Sequence, residues 1–266
     1  MKPFELHRPS TTNEAIDLLR ARDGAKLLAG GQSLLPVLKL ELAEPSDLIS
    51  LARLAELKKI EVANGAVTIG ALATHDDVSR SADVSKAIPA LAKLAGAIGD
   101  AQVRNRGTLG GSVAHADPAA DYPAALVALG ATVVTDRREL AADGFFTGLF
   151  ETALERDELV TAVRFPIPRR AAYAKFAHRA SKYALVGVMV AELGNGAGVR
   201  VAVTGAGAKV FRLPAFEAAL GGRLAPEALD GIAVPSADLN SDAEASAEYR
   251  AHLIGVMARR AVQALA

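Results

Sequence analysis

Residues 99–126 read GDAQVRNRGTLGGSVAHADPAADYPAAL, and the rest of the chain is organised around them. Gly107, Gly110 and Gly111 stand among Arg104, Arg106, Thr108 and Ser112, with Asp117 and Asp121 ahead of an alanine-rich helical stretch. A glycine pair lacks two Cβ atoms and admits positive φ, so backbone N–H groups can close on an anion. A helix start just downstream adds positive dipole character. A second pair lies in Ala29-Gly30-Gly31-Gln32-Ser33, after the short run Lys26-Leu27-Leu28. Two such turns from distant parts of one chain would grip the two phosphates of a dinucleotide. Either alone is more often a structural chain reversal. Neither is a P-loop, because the sequence holds no Gly-Lys pair, and neither keeps the GxGxxG spacing.

The 266 residues suffice for two domains with their own cores. A hydrophobic share of 51% marks an ordered globular chain. Thirty basic and thirty acidic residues cancel, so no broad basic field exists to attract nucleic acid. The absence of cysteine excludes disulfides, thiolate zinc sites, a cysteine nucleophile and a self-contained iron–sulfur cluster. Met1 to Ser10 carries Glu5, His7, Arg8 and Pro9 where a signal peptide needs an apolar core, and the apolar runs near 124–134 and 184–191 are too short to span a bilayer. A cytoplasmic enzyme or enzyme subunit is the expectation.

Along the chain, Thr11 to Arg22 reads as a helix, with capping-box spacing at Thr11 and Glu14 and Gly24 placed as a C-cap. Lys26–Leu28 and Asp47–Ser50 are short strands, with a helix from Ser33 to Leu38 between them. Asn64-Gly65 between Ile60–Val62 and Val67–Ile69 is a hairpin signal. Thr74–Ser79 and Pro89–Ala97 read as helices, with His75 solvent-facing in the first. A helix over 119–129, strands over 131–134 and 159–165, and a Gly-Phe-Phe-Thr-Gly loop at 144–148 follow. Pro166, Pro168, Arg169 and Arg170 mark a domain boundary. Beyond it, strands over 173–177, 186–193, 199–204 and 209–213 precede helices over 214–220, 225–232 and 242–265. Segregated strands and helices predict an α+β layer. The glycine-rich segment 194–207 lacks a third glycine at nucleotide spacing and reads as a hairpin turn.

Other chemistries compete. A serine hydrolase needs an elbow such as GxSxG, and the sequences after Ser33 and Ser112 both miss the final glycine. His115, Asp117 and Asp121 nevertheless follow Ser112 closely. The five histidines show no HExxH spacing. A non-catalytic nucleotide-binding scaffold is the third class.

AGGQSL at 29–34, RNRGTLGGSVAHADPAADYPAAL at 104–126 and GFFTGLFETAL at 144–154 closely resemble the FAD-binding medium subunit of molybdenum hydroxylases, the carbon-monoxide dehydrogenase and xanthine dehydrogenase family. The likeness runs from the Phe4 region to the closing helix. It implies a two-part FAD-binding domain of the vanillyl-alcohol oxidase (PCMH) type over 1–168, with subdomains of about 1–53 and 54–168. A C-terminal antiparallel sheet with helices then covers 169–266. It assigns Ala29, Gly30, Gly31, Gln32 and Ser33, with Thr108, Leu109, Gly110, Gly111 and Ser112, to the pyrophosphate of FAD. It places Asp121 on the adenosine–ribityl chain, Leu159 and Lys175 near the cofactor, and Tyr183 over the isoalloxazine. Ser112 stands where many relatives carry Asn. No catalytic side chain and no metal ligand is assigned to this chain. The implied partners are a small [2Fe–2S] subunit and a large molybdopterin subunit, in a dimer of heterotrimers, with a small-molecule electron acceptor. Arg104 is expected to orient its loop or to face the iron–sulfur partner.

Overall fold

Glu5–His7 and Ala25–Leu28 flank Asp47–Ser50 in a three-stranded parallel sheet, the first layer of the computed structural model. The structure describes residues 1–194 and 196–265; Asn195, inside the glycine-rich segment read as a hairpin turn, and Ala266 lie outside the described residues. Parallel strands need crossovers, and helices Thr12–Ala21 and Leu34–Lys39 lie in the two connections. Thr11 caps the first helix by accepting from the Glu14 N–H at 3.2 Å, while the Glu14 carboxylate turns back to the Ser10 N–H at 2.7 Å. Gly24 is not the C-cap expected of it. The helix ends at Ala21, and a Cβ on Gly24 would lie 2.5 Å from Ser46 Oγ. Strand Glu5–His7 escapes the sequence reading because its residues are mostly exposed and carry no apolar alternation.

A five-stranded antiparallel sheet comes next, in the order Ile60–Ala63, Ala66–Gly70, Val160–Pro166, Thr132–Thr135, Glu139–Ala141. Asn64 and Gly65, at φ 51° and 73°, form the left-handed pair that a type I′ hairpin demands. Helices His75–Arg80, Ala82–Ala87 and Pro89–Gly96 contribute to its core, where Ile69, Leu91, Leu94 and Phe165 are fully buried. Phe146–Gly148 and Glu151–Thr152 pair as a small hairpin in the loop that follows.

The third sheet is antiparallel, with Arg170–Ala177, Ala184–Glu192, Val199–Thr204 and Phe211–Arg212 in sequential order. Helix Ala247–Gln263 covers its first two strands and helix Pro214–Gly222 its third. The expected strand over 209–213 contracts to two residues, and 225–232 forms a single 3₁₀ turn, Pro226–Leu229. The last helix starts at its Ser246 cap instead of at 242, because the Asp242 carboxylate accepts from the N–H groups of Glu244 and Ala245 and holds a turn there.

Helix Tyr122–Leu129 joins the halves. All its residues are buried, and it packs on Ala184–Glu192 and Val199–Thr204 of the third sheet as well as on its own layer. Met189, Ala191 and Ala202 therefore share one core with Val163 and Leu94. Burial of each leucine of that helix, Leu126 and Leu129, contributes roughly 1.5–3 kcal/mol relative to exposure.

Candidate functional site

The two glycine motifs meet. A Cβ on Gly30 would overlap the carbonyl of Arg106 and lie 2.9 Å from Gly107 Cα, and one on Gly111 would lie 3.8 Å from the Ala29 Cβ. They form one side of a cavity of about 780 Å³. Its wall takes Ala29, Gly30, Gly31, Gln32 and Ser33 from the first motif and Thr108, Gly110, Gly111 and Ser112 from the second, with Asp121, Leu159 and Tyr183. Leu109 does not line it. That side chain is fully buried in the core beneath. Lys175 is also outside the wall and reaches the site only through Asp121.

The motifs differ in what they offer. Gly31 is left-handed at φ 72°, as a turn requires. Among the described residues, no acceptor meets the N–H groups of Gly30, Gly31, Gln32, Ser33 or Leu34. Successive N–H groups left free in a turn can donate together to an anion. The second motif is no turn at all. Gly110 and Gly111 lie in the first turn of helix Leu109–His115, capped by Thr108, whose hydroxyl accepts from the Gly111 N–H at 3.2 Å. The Leu109 and Gly110 N–H groups bond the carbonyls of Ala73 and Ala71, at 3.0 and 2.8 Å. Gly110 is required by close approach, since a Cβ there would lie 2.5 Å from that of Ala71. The Gly111 and Ser112 N–H groups bond Thr108 in turn, so over 109–112 the backbone donors are engaged within the protein, and the motif faces the cavity with the Thr108 and Ser112 side chains and a glycine-smooth wall.

Asp121 is buried at 4% exposure. Tyr173 donates to its Oδ1 at 2.6 Å and the Lys175 ammonium lies 2.9 Å from the same oxygen. Burial pushes this carboxyl up, against the pull of Lys175 and Tyr173. Burial, then the Asp121 charge, also push the Tyr173 phenol well up. Tyr173 is a site neighbour the sequence reading missed. The period of two along a strand places it on the same face as Lys175. Tyr183 is 43% exposed at the rim, its phenol pushed up by burial and by the Asp117 carboxylate, with Ser33 across the cavity opposing. Leu159 is held by its N–H to Asp136 Oδ1 at 2.8 Å.

His75 is a second residue missed. Expected in solvent, it is 5% exposed, lines the cavity, and packs 5.4 Å from the Tyr122 ring. Its Nδ1 and the Tyr122 hydroxyl are buried without a partner. Burial, and then the Arg104 charge, lower its pKa to about 4, so the imidazole is neutral. Arg104 itself donates to the carbonyls of Ile98 and Gly99, at 3.0 and 3.1 Å, and so fixes the loop before the second motif.

The hydrolase constellation is not assembled. Among the described residues, no hydrogen bond joins Ser33 or Ser112 to a histidine, His115 stacks on Phe150 at 5.1 Å, and Asp117 accepts from the Ala119 N–H at 2.8 Å. Glu5, His7 and Asp47 bring ligand-type atoms within 4.8 Å, but Asp47 is already engaged by Arg22 at 3.1 Å and Ser46 at 2.6 Å, away from the cavity. Gly205, at φ 84°, serves packing: its N–H bonds the Pro118 carbonyl at 2.7 Å and it does not line the cavity.

Comparison with known proteins agrees with this geometry. The family described as FAD binding domain in molybdopterin dehydrogenase matches residues 2–168, and that described as CO dehydrogenase flavoprotein C-terminal domain matches residues 171–265. The nicotine 6-hydroxylase medium subunit of Paenarthrobacter nicotinovorans is 38% identical, over 96% of this chain and 94% of its own length. The carbon monoxide dehydrogenase medium chain of Hydrogenophaga pseudoflava is 36% identical, over 98% of this chain and 96% of its own. The solved structure of carbon monoxide dehydrogenase from that organism, lacking the Mo-pyranopterin moiety, aligns at TM-score 0.90 and 37% identity, covering 99% and 98% of the two chains. Matching families over both halves, full-length relatives and a shared fold leave neither the hydrolase nor the scaffold reading supported: the chain belongs to the FAD-binding medium subunits of the molybdenum hydroxylases.

Proposed function

We propose that the cavity holds FAD and that this chain is the electron outlet of a three-subunit molybdenum hydroxylase. The run of free N–H groups over 30–34, beside a second glycine motif in one cavity, carries the reading. Those groups, with the hydroxyls of Ser33, Thr108 and Ser112, would hold the diphosphate, and a cavity of about 780 Å³ suits a ligand of dinucleotide size. Asp121, ringed by Tyr173 and Lys175, would accept from a hydroxyl of the adenosine–ribityl chain. Leu159 and Tyr183 would pack on the ring system. Bound FAD would supply one- and two-electron exchange, joining a one-electron relay to a two-electron acceptor.

The chain has no cysteine, so any iron–sulfur relay must be carried by a partner. The relatives are named as medium chains or subunits, which fits a small [2Fe–2S] partner and a large molybdopterin partner, as a dimer of heterotrimers. In this reading substrate is oxidised at the large partner, residues 1–168 and 169–266 are the two domains, and the complex works in the cytoplasm with a small-molecule acceptor. No helix among the described residues is long and apolar enough to cross a membrane.

The test is the absorption spectrum of the chain purified with its co-expressed neighbours. A flavin band with iron–sulfur shoulders is expected, together with FAD released on denaturation in equal amount to this chain. A colourless assembly that takes up no added FAD would overturn the proposal.

A further inference from the structure

The Lys175 ammonium lies outside the cavity wall yet joins three segments. It reaches Asp121 Oδ1 at 2.9 Å, donates to the Ala97 carbonyl at 2.8 Å, and donates to the Lys182 carbonyl at 2.9 Å. Three acceptors exhaust its three N–H groups, and its side chain is 7% exposed. It has nothing left to offer a ligand.

The contact to Lys182 stands out. Lys182 has φ 63°, a left-handed conformation that is unfavourable for an L-residue and persists where surroundings impose it. The turn around it is closed by two backbone bonds, Lys182 N–H to His178 carbonyl at 3.0 Å and His178 N–H to Tyr183 carbonyl at 2.8 Å, and by side-chain bonds within it, the Ser181 N–H to His178 Nδ1 at 3.1 Å and the Lys182 ammonium to the Arg179 carbonyl at 2.9 Å; the Lys175 ammonium grips it from outside the turn. The next side chain is Tyr183, at the cavity rim. Asp121 follows the second glycine motif, and Ala97 caps helix Pro89–Gly96, earlier in the chain. The ammonium therefore ties the Tyr183 turn to Asp121, which lines the cavity, and to the end of helix Pro89–Gly96.

We propose that Lys175 is a positioning residue: by holding the carbonyl of Lys182 in its left-handed turn, it aims Tyr183 at the cofactor cavity and does not itself touch the cofactor. This rests on the assignment of FAD to the cavity, so the test has one arm that needs FAD and one that does not.

The full chain is prepared as wild type, Lys175→Met, Tyr183→Ala and the double variant, with Lys175→Arg as a second substitution that keeps a cation beside Asp121. In the first arm, hydrogen exchange is followed on the chain without FAD. Amides of 178–183 are expected to exchange at least about tenfold faster in Lys175→Met, while those of Val186–Val190 keep their protection. In the second arm, FAD is titrated into each variant. Lys175→Met and Tyr183→Ala are each expected to weaken binding by about five- to tenfold, and the double variant by no more than about twofold beyond Tyr183→Ala alone. Additive losses, or unchanged exchange at 178–183 in both Lys175 variants, would overturn the proposal. If no variant and no wild type binds FAD, the FAD assignment itself has failed, and the exchange arm alone decides whether Lys175 holds the turn.

Discussion

Gly30 rests directly on the backbone of Arg106, so close that any Cβ at position 30 would overlap the Arg106 carbonyl. This contact between distant parts of the chain turns two separate glycine pairs into one wall. It is also the most sensitive point of the site.

Gly30→Ala is expected to push the two motifs apart. Overpacking of this kind typically destabilises by about 1–3 kcal/mol. Affinity for FAD should fall by more than the loss of stability explains, since the free N–H groups beside it lose their register. Thermal unfolding and FAD titration measured side by side check this; unchanged affinity would refute it.

His75 makes stability depend on pH. Its folded pKa of about 4 lies below the ordinary 6.5, so the unfolded chain binds the extra proton first as pH falls. The contribution is fully retained above 6.5 and is lost between there and about 4, amounting to roughly 3 kcal/mol at the acid end. Asp121, pushed up by burial, acts with the opposite sign, so the useful quantity is a difference. Urea unfolding of wild type and His75→Leu across pH 4–7 should give a flatter profile for the variant.

Arg104→Ala removes two charge-assisted bonds to the carbonyls of Ile98 and Gly99. A stability loss of about 1–3 kcal/mol is expected. The same change takes a positive charge away from His75, whose pKa should rise toward its ordinary value. An NMR titration of the imidazole reads this directly, and a pKa that stays put would show that burial acts alone.

Thr108→Ala removes the cap on helix Leu109–His115 and should cost about 1 kcal/mol, with Thr108→Ser restoring most of it. Because the N–H groups of residues 109–112 are bonded within the protein, they contribute little to anion binding. Thr108→Ser should therefore keep wild-type FAD affinity, while Thr108→Ala weakens it by about two- to fivefold.

Much of the site is legible in the sequence, and the exceptions share a cause. The glycine pairs stand out by residue type and spacing, the family resemblance adds Asp121, Leu159 and Tyr183, and all of these border one cavity. Helix Leu109–His115 does not, because glycine disfavours helix and a Gly-Gly pair reads locally as a turn. What overrides that preference is a backbone contact from Ala71 and Ala73, far away in sequence. His75 fails for the same reason: a histidine in the first turn of a capped helix is locally a surface residue, and packing against the distant Gly107 and Tyr122 buries it. Tyr173 is different, since strand alternation beside Lys175 would have revealed it.

Helix Tyr122–Leu129 is greasy on every side, and most of what it leans on belongs to strands that come later in the sequence. A fragment stopped after residue 168 would leave an eight-residue apolar rod without its cover, and such a surface invites self-association. Cutting the halves apart is therefore expected to cost solubility, and supplying the later strands to restore it.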